Sequence, residues 1–266
     1  MPFHNTRYST TVPEVHGTIL YLHGGGLLFG NPDDLPAPYT RAFNRAGFDV
    51  IALEYPLAPG TTLVGILETL EATIGNLRAP GGMRGERVVL FGRSAGAFLA
   101  IQLMARSIQR GQPVADALLS LYGYADMSDP EFTIPSKHYL AFGIVSDTAM
   151  TTPGDDADFA TRYGLYVGHR QRGTWPGTVL GAQSVDDIAI APDILARFPP
   201  TFLAASVYDP DVPFRASKRL ASAIPNAEFV RLYDTTEHDF DRDASNPIGM
   251  RVYERMLAWL ERTLPR

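Results

Sequence analysis

The chain contains no cysteine. A disulfide framework, a thiolate zinc site and a cysteine nucleophile are therefore all excluded. Residues 1–5 also lack a basic region followed by an apolar core, so the sequence predicts no secretory signal. Because the absence of cysteine suits a reducing compartment, we expect a cytoplasmic protein.

Basic runs and long apolar runs are missing as well. The formal net charge is −6 and the pI is about 5.5, which argues against nucleic acid or an anionic membrane surface as the main partner. No apolar run approaches the roughly 18 residues that indicate a transmembrane helix. An H-E-x-x-H motif and histidines paired at ligand spacing are also absent, so we predict no metal and no other cofactor. The expected partner is a small-molecule substrate, and self-association into a homo-oligomer is left open.

Short apolar strands alternate with segments of helical period along much of the 266 residues. This alternation predicts a doubly wound α/β fold, with a mostly parallel sheet covered by helices on both faces. From residue 122 to residue 198 we find no clear core strand, and this stretch is too long for a simple connection. We therefore expect an α/β core formed by residues 1–121 and 199–266, with a helical cap insertion at residues 122–198.

A serine lies where one of these strands turns into a helix. Residues 87–100 read RVVLFGRSAGAFLA, in which Gly92, Ser94 and Gly96 form a G-x-S-x-G motif. The pentapeptide alone occurs in many ordinary turns. With an apolar strand before it and a helix after it, the motif indicates a nucleophile elbow that exposes the Ser94 hydroxyl at the carboxyl edge of the sheet.

A base and an orienting acid are expected at the same edge. His238 follows the last predicted strand and is the candidate base, whereas surface or packing roles are expected for His4, His16, His138 and His169. Asp209 is the first carboxylate after the strand at residues 201–206. We prefer it as the acid because it gives the chain order serine, acid, histidine. Asp211 is the alternative, and it could instead cap the helix that begins near Pro213.

The oxyanion hole requires backbone N–H groups that no side chain obstructs. Three glycines follow an early strand, and we expect the amides of Gly25 and Gly26 to point into the site together with that of Ala95. The surrounding residues match neither a P-loop nor a dinucleotide-binding motif. We expect Leu27, Arg93 and Tyr122 to contact the substrate.

These motifs together resemble a known family. His23-Gly24-Gly25-Gly26, Tyr55-x-Leu57-Ala58-Pro59, Gly92-x-Ser94-Ala95-Gly96, Asp209-Pro210 and His238 occur in the order seen in the α/β-hydrolase fold, and the HGGG motif is similar to that of the hormone-sensitive-lipase-like esterases. The resemblance implies hydrolysis of carboxylic esters with short acyl chains. By motif position it implies Ser94 as nucleophile, Asp209 as acid and His238 as base, with oxyanion donors at Gly25, Gly26 and Ala95.

Two departures from the family pattern concern the substrate. Arg93 stands where the family usually has aspartate, and Gly60 stands where it often has glutamate. The expected activity is a serine carboxylesterase that hydrolyses acetyl-type or aryl esters through an acyl-enzyme on Ser94. The alternatives are an amide or peptide hydrolase of the same fold and a non-catalytic small-molecule-binding relative, which would have lost the histidine base.

Overall fold

The computed structural model describes residues 4–154 and 157–264. In these residues seven strands form one sheet: β1 (Thr6–Tyr8), β2 (Gly17–Leu22), β3 (Phe48–Leu53), β4 (Arg87–Arg93), β5 (Ala117–Leu121), β6 (Thr201–Ser206) and β7 (Ala227–Leu232). Their order across the sheet is β1-β3-β2-β4-β5-β6-β7. Of these described strands only β1 runs antiparallel to its neighbour, so the predicted doubly wound, mostly parallel sheet is confirmed.

Helices cover both faces of this sheet, because side chains along each buried strand alternate between the two faces. Leu20 and Leu22 of β2 enter one apolar core, and Ile19 and Tyr21 enter the other. The described α-helices are α1 (Ala37–Arg45), α2 (Leu63–Leu77), α3 (Ala95–Gln109), α4 (Lys137–Leu140), α5 (Phe159–Arg172), α6 (Trp175–Leu180), α7 (Pro192–Leu195), α8 (Phe214–Ala223) and α9 (Pro247–Thr263). The first core is closed by α2, α3 and α8, and the second by α1 and α9.

Residues 122–198, here called the connecting segment, join β5 to β6. Their described part contains α4 to α7 and no strand. Asp158 caps α5 by accepting a hydrogen bond from the Thr161 amide at 2.8 Å, as expected of a carboxylate at a helix start. Its neighbours Asp155 and Asp156 lie outside the described residues. Because Phe132 and Trp175 join the first core, the connecting segment is packed onto the sheet domain.

Candidate active site

Ser94 lies at the sharp turn between β4 and α3. Its φ is 51° and its ψ is −119°, a backbone conformation that is strained for any residue except glycine. A Cβ on Gly92 would collide with the backbone of Gly96, and a Cβ on Gly96 would collide with the carbonyl oxygen of Leu22. The two glycines of the motif are therefore required for the close approach of strand and helix that holds the serine in this turn.

Ser94, His238 and Asp209 form one hydrogen-bonded line. The Ser94 Oγ is 2.8 Å from His238 Nε2, and His238 Nδ1 is 2.7 Å from Asp209 Oδ2. The other Asp209 oxygen accepts hydrogen bonds from the amides of Asp211 and Val212, both at 2.9 Å. The three side chains meet because they follow β4, β6 and β7, whose carboxyl ends share one edge of the sheet.

The imidazole of His238 holds a proton more tightly than a free histidine does. Burial lowers its pKa, but the charge and hydrogen bond of Asp209 outweigh that effect, with further contributions from Asp211 and Asp239. The result is a pKa raised to about 9. A raised proton affinity suits a group that must accept a proton from a hydroxyl.

The glycine turn after β2 reaches the same place. Gly25 and Gly26 have φ values of 110° and 58°, and both line the cavity that contains Ser94. A Cβ on Gly25 would collide with the Phe29 carbonyl, and a Cβ on Gly26 would collide with the ring of Tyr166. Ala95 is the first residue of α3, where amide groups have no acceptor within the helix.

Contacts from Tyr55, Ala58 and Trp175 hold this glycine turn in place. His23 stacks on Tyr55 with ring centroids 4.1 Å apart, and the Tyr55 hydroxyl donates to the His23 carbonyl at 2.8 Å. The Ala58 amide donates to the Leu27 carbonyl at 2.8 Å. From the connecting segment, Trp175 Nε1 donates to the Gly26 carbonyl at 2.8 Å. The Tyr55 and Ala58 contacts give a physical reason for the Tyr55-x-Leu57-Ala58-Pro59 motif.

The Leu27 side chain does not line the cavity. Its backbone has a φ of 64°, and its side chain is completely buried in the first apolar core. The structure thus places the side chain of this predicted substrate-contact residue away from the cavity, because the left-handed backbone directs it inward.

Arg93 and Tyr122 do line the cavity, but their polar atoms are bound to protein. Arg93 Nε lies 3.1 Å from Asp241 Oδ2, and Arg93 Nη1 lies 3.4 Å from Asp34 Oδ2. The Tyr122 hydroxyl donates to Asp241 at 2.6 Å, and its ring packs edge-on against His238. Any substrate contact from these residues is therefore through their non-polar surface. The Arg93–Asp241 pair ties β4 to the loop that carries His238.

Asp211 has partners that the sequence did not predict. Its carboxylate lies 2.6 Å from Arg170 Nη1 and accepts hydrogen bonds from the Tyr139 and Tyr166 hydroxyls at 2.9 and 3.0 Å. It does not cap α8, which has no side-chain cap. Burial raises the pKa of Asp211, but the charges of Arg170 and His238 and the two tyrosine hydrogen bonds together outweigh it, so the net shift is downward and the carboxylate is ionised. Its Oδ2 lies 4.0 Å from His238 Nε2.

The cavity around these groups has a volume of about 590 Å³. His138 lies in its wall, a position that the sequence did not distinguish from simple packing. Much of the rest of the wall is aromatic and is formed by Phe29, Tyr122, Tyr139, Phe159, Tyr163 and Tyr166.

In the described part of the chain, no group of three or more histidine, cysteine or carboxylate side chains is arranged to hold a metal. Among the same residues, no helix has the length and apolar character needed to span a membrane.

Ser94 lies in a sharp strand-to-helix turn at the carboxyl edge of a mostly parallel sheet, and later loops supply Asp209 and His238. This arrangement is typical of α/β-hydrolases. A family model described as alpha/beta hydrolase fold matches residues 19–242. The chain therefore belongs to the alpha/beta hydrolase fold family, within its hormone-sensitive-lipase-like group.

Curated relatives match over shorter stretches. An acetyl-hydrolase of Streptomyces hygroscopicus is 32% identical over 111 residues, which are 42% of this chain and 37% of that protein. An esterase of Gibberella moniliformis is 24% identical over 72% of this chain and 56% of that protein. A non-reducing polyketide synthase of Aspergillus calidoustus is 28% identical over 51% of this chain, which spans only 6% of the synthase.

Solved structures match over nearly the whole chain. An alpha/beta hydrolase superfamily protein from Enterococcus faecalis is 33% identical, with a TM-score of 0.84 over 97% of this chain and 94% of that one. A Staphylococcus aureus protein of unknown function is 28% identical, with a TM-score of 0.86 over 98% and 94% of the two chains. Carboxyl esterase 2 of Tuber melanosporum shares the fold at 18% identity, with a TM-score of 0.69 over 98% and 81%.

Proposed function

We propose that this protein is a serine carboxylesterase that hydrolyses short-acyl esters through an acyl-enzyme on Ser94. The observation that carries the proposal is the hydrogen-bonded line from Ser94 Oγ through His238 to Asp209. The acetyl-hydrolase and esterase relatives support the same reaction class. A non-catalytic role as a ligand-binding protein is disfavoured because the histidine base is present and bonded to both partners.

The geometry supports a two-step reaction. His238 Nε2 accepts the Ser94 proton while the serine oxygen attacks the ester carbonyl, and the amides of Gly25, Gly26 and Ala95 stabilise the resulting oxyanion. His238 then gives its proton to the departing alcohol, leaving the acyl group on Ser94. A water molecule, deprotonated by His238, attacks the acyl-enzyme, and His238 returns that proton to the departing Ser94 Oγ as the carboxylic acid is released. Asp209 orients the imidazole and stabilises its charged form without becoming protonated.

We further propose that the connecting segment acts as the cap over this site. Phe159 and Tyr163 of α5 contact Phe29 edge-on, with ring centroids 5.4 and 5.3 Å away. These rings form an aromatic wall beside the glycine turn. The cavity of about 590 Å³ is of the size that small ligands occupy. Acetyl-type esters, including aryl esters whose rings can pack on this wall, are therefore the expected substrates.

Turnover of p-nitrophenyl acetate tests the proposed function. The purified protein is expected to hydrolyse it, and Ser94→Ala should reduce kcat/KM by at least about 10⁴-fold because the nucleophile is lost. Ser222→Ala is the matched control, since Ser222 is an exposed serine on α8. A folded wild-type protein without turnover, or a Ser94→Ala variant with full activity, would refute the esterase proposal. Comparison with p-nitrophenyl decanoate tests the preference for short acyl chains.

A further inference from the structure

Asp211 connects the cap to the loop that carries the proposed catalytic acid. Its backbone amide donates to Asp209 Oδ1 at 2.9 Å, the carboxylate oxygen that does not contact the imidazole. Its carboxylate is bound by three residues of the connecting segment: Tyr139, Tyr166 and Arg170. A single residue thus contacts the acid through its main chain and the connecting segment through its side chain.

Arg170 is held firmly in place. Its side chain is 2% exposed, its Nη2 donates to the Asp211 carbonyl at 2.9 Å, and its guanidinium lies 5.4 to 5.8 Å from four ring centroids. Such cation–π contacts stabilise a buried cation. One of these rings, Trp175, also binds the Gly26 carbonyl, so the same cluster reaches the glycine turn. The four rings belong to Phe132, Tyr139, Tyr166 and Trp175.

The Asp211 carboxylate faces the imidazole from the side of the nucleophile. Its Oδ2 lies 4.0 Å from Nε2, while Asp209 binds Nδ1 on the opposite side of the ring. Asp239 adds a third negative charge near the imidazole, and the uncharged ring of Tyr122 packs against it. An ionised carboxylate at this distance favours the protonated imidazole, the form that appears when the serine attacks.

We propose that Asp211 is a positioning residue for ester hydrolysis: its amide orients Asp209, and its carboxylate, fixed by Arg170, stabilises the charged form of His238. Through this contact the cap sets the proton affinity of the base. The inference rests on the proposed function, because it assigns His238 the role of base. It extends that function because a buried ion pair, Arg170–Asp211, also takes part in the reaction although it lies outside the Ser94–His238–Asp209 line.

The variant Asp211→Asn tests this inference. It removes one negative charge near His238, so the rising limb of kcat/KM against pH should move to lower pH by about one unit. The imidazole signals of His238, followed by NMR against pH, should shift in the same direction by the same amount. Asp129→Asn is the matched control, because Asp129 is also buried and pairs with Arg215 at 2.5 Å but does not line the cavity. It should lower Tm and leave both midpoints unchanged.

The double variant Asp211→Asn/Arg170→Met covers the case in which the single variant fails to fold, since it leaves no unpaired buried charge. It should show the same downward shift. Midpoints that stay within about 0.3 units of wild type in both the rate profile and the NMR titration would overturn the inference. The NMR titration does not require turnover, so a protein without esterase activity would refute the proposed function while still reporting on the contact between Asp211 and His238.

Discussion

Two buried arginine–aspartate pairs hold loops at the edge of the sheet that carries Ser94 and His238, and they differ in their surroundings. The core pair, Arg93–Asp241, joins β4 to the loop after β7, and its side chains are 5% and 0% exposed. The cap pair, Arg170–Asp211, joins α5 to the loop after β6, and its carboxylate lines the cavity. In the core pair the arginine borders the cavity and the carboxylate is fully enclosed, whereas in the cap pair the carboxylate borders the cavity and the arginine is enclosed. We therefore expect the core pair mainly to stabilise the fold and the cap pair also to act on the proposed reaction.

The largest effect is expected when the core pair is broken. Arg93→Met leaves the fully buried Asp241 without a counter-ion and should lower the free energy of unfolding by about 3–5 kcal/mol. Arg87→Met on the same strand is the control, because Arg87 pairs with Asp116 at 3.8 Å on the exposed surface and should cost less than about 1 kcal/mol. Urea denaturation measures both. Equal losses in the two variants would show that the core pair contributes nothing special.

The pH dependence of the wild-type protein reports on the charges around His238, which include Asp211 of the cap pair. With a His238 pKa of about 9, kcat/KM should rise about tenfold per pH unit up to that value, since only the neutral imidazole accepts a proton. Stability should move the other way: the pKa is raised above its unfolded value near 6.5, so the folded protein loses this contribution as pH rises from about 6.5 to 9. The carboxylates responsible are Asp209, Asp211 and Asp239. A kcat/KM that is level from pH 7 to 9 would contradict this assignment.

Breaking the cap pair should cost less stability than breaking the core pair. In Arg170→Met, the Asp211 carboxylate keeps two tyrosine hydroxyls and gains access to water in the cavity. We therefore expect a loss of about 1–3 kcal/mol by urea denaturation. A loss as large as that of Arg93→Met would mean that the cavity does not relieve the unpaired charge.

The smallest effect is expected at the contact between the cap and the glycine turn. Trp175→Phe removes the hydrogen bond to the Gly26 carbonyl, worth about 1 kcal/mol, and should lower kcat several-fold with little change in KM. Trp259→Phe is the control, because this second tryptophan packs in the other core, away from the cavity. A change in KM alone would indicate that Trp175 affects binding and not the glycine turn.

Most of the sheet and the meeting of Ser94, Asp209 and His238 could be predicted from sequence, because each is encoded locally. In a parallel sheet, the residues that follow apolar strands lie at the carboxyl edge, where Ser94, Asp209 and His238 are found. The strand predicted at residues 201–206 is β6, and the strand and helix predicted on either side of Ser94 are β4 and α3. The roles assigned to these residues remain predictions until activity is measured.

The partners of the two ion pairs could not be predicted in this way. Arg93 pairs with Asp241, which is 148 residues further along the chain, and Arg170 pairs with Asp211, which is 41 residues further along. No local pattern in α5 indicates that Arg170 is buried among aromatic rings. The burial of Leu27 could not be predicted for a related reason, since its left-handed backbone depends on the turn that packs against Tyr166. Long-range packing decides these positions, and it leaves no short-range signal.

Covalent trapping tests the central claim, that Ser94 is a nucleophile activated by His238, most directly. The protein is incubated with diethyl p-nitrophenyl phosphate, and the modified peptide is located by mass spectrometry. We predict one diethyl phosphoryl adduct, on the peptide that contains Ser94, and at least about a 10³-fold slower labelling in His238→Ala. An adduct on a different residue, or labelling that proceeds equally fast without His238, would contradict the account.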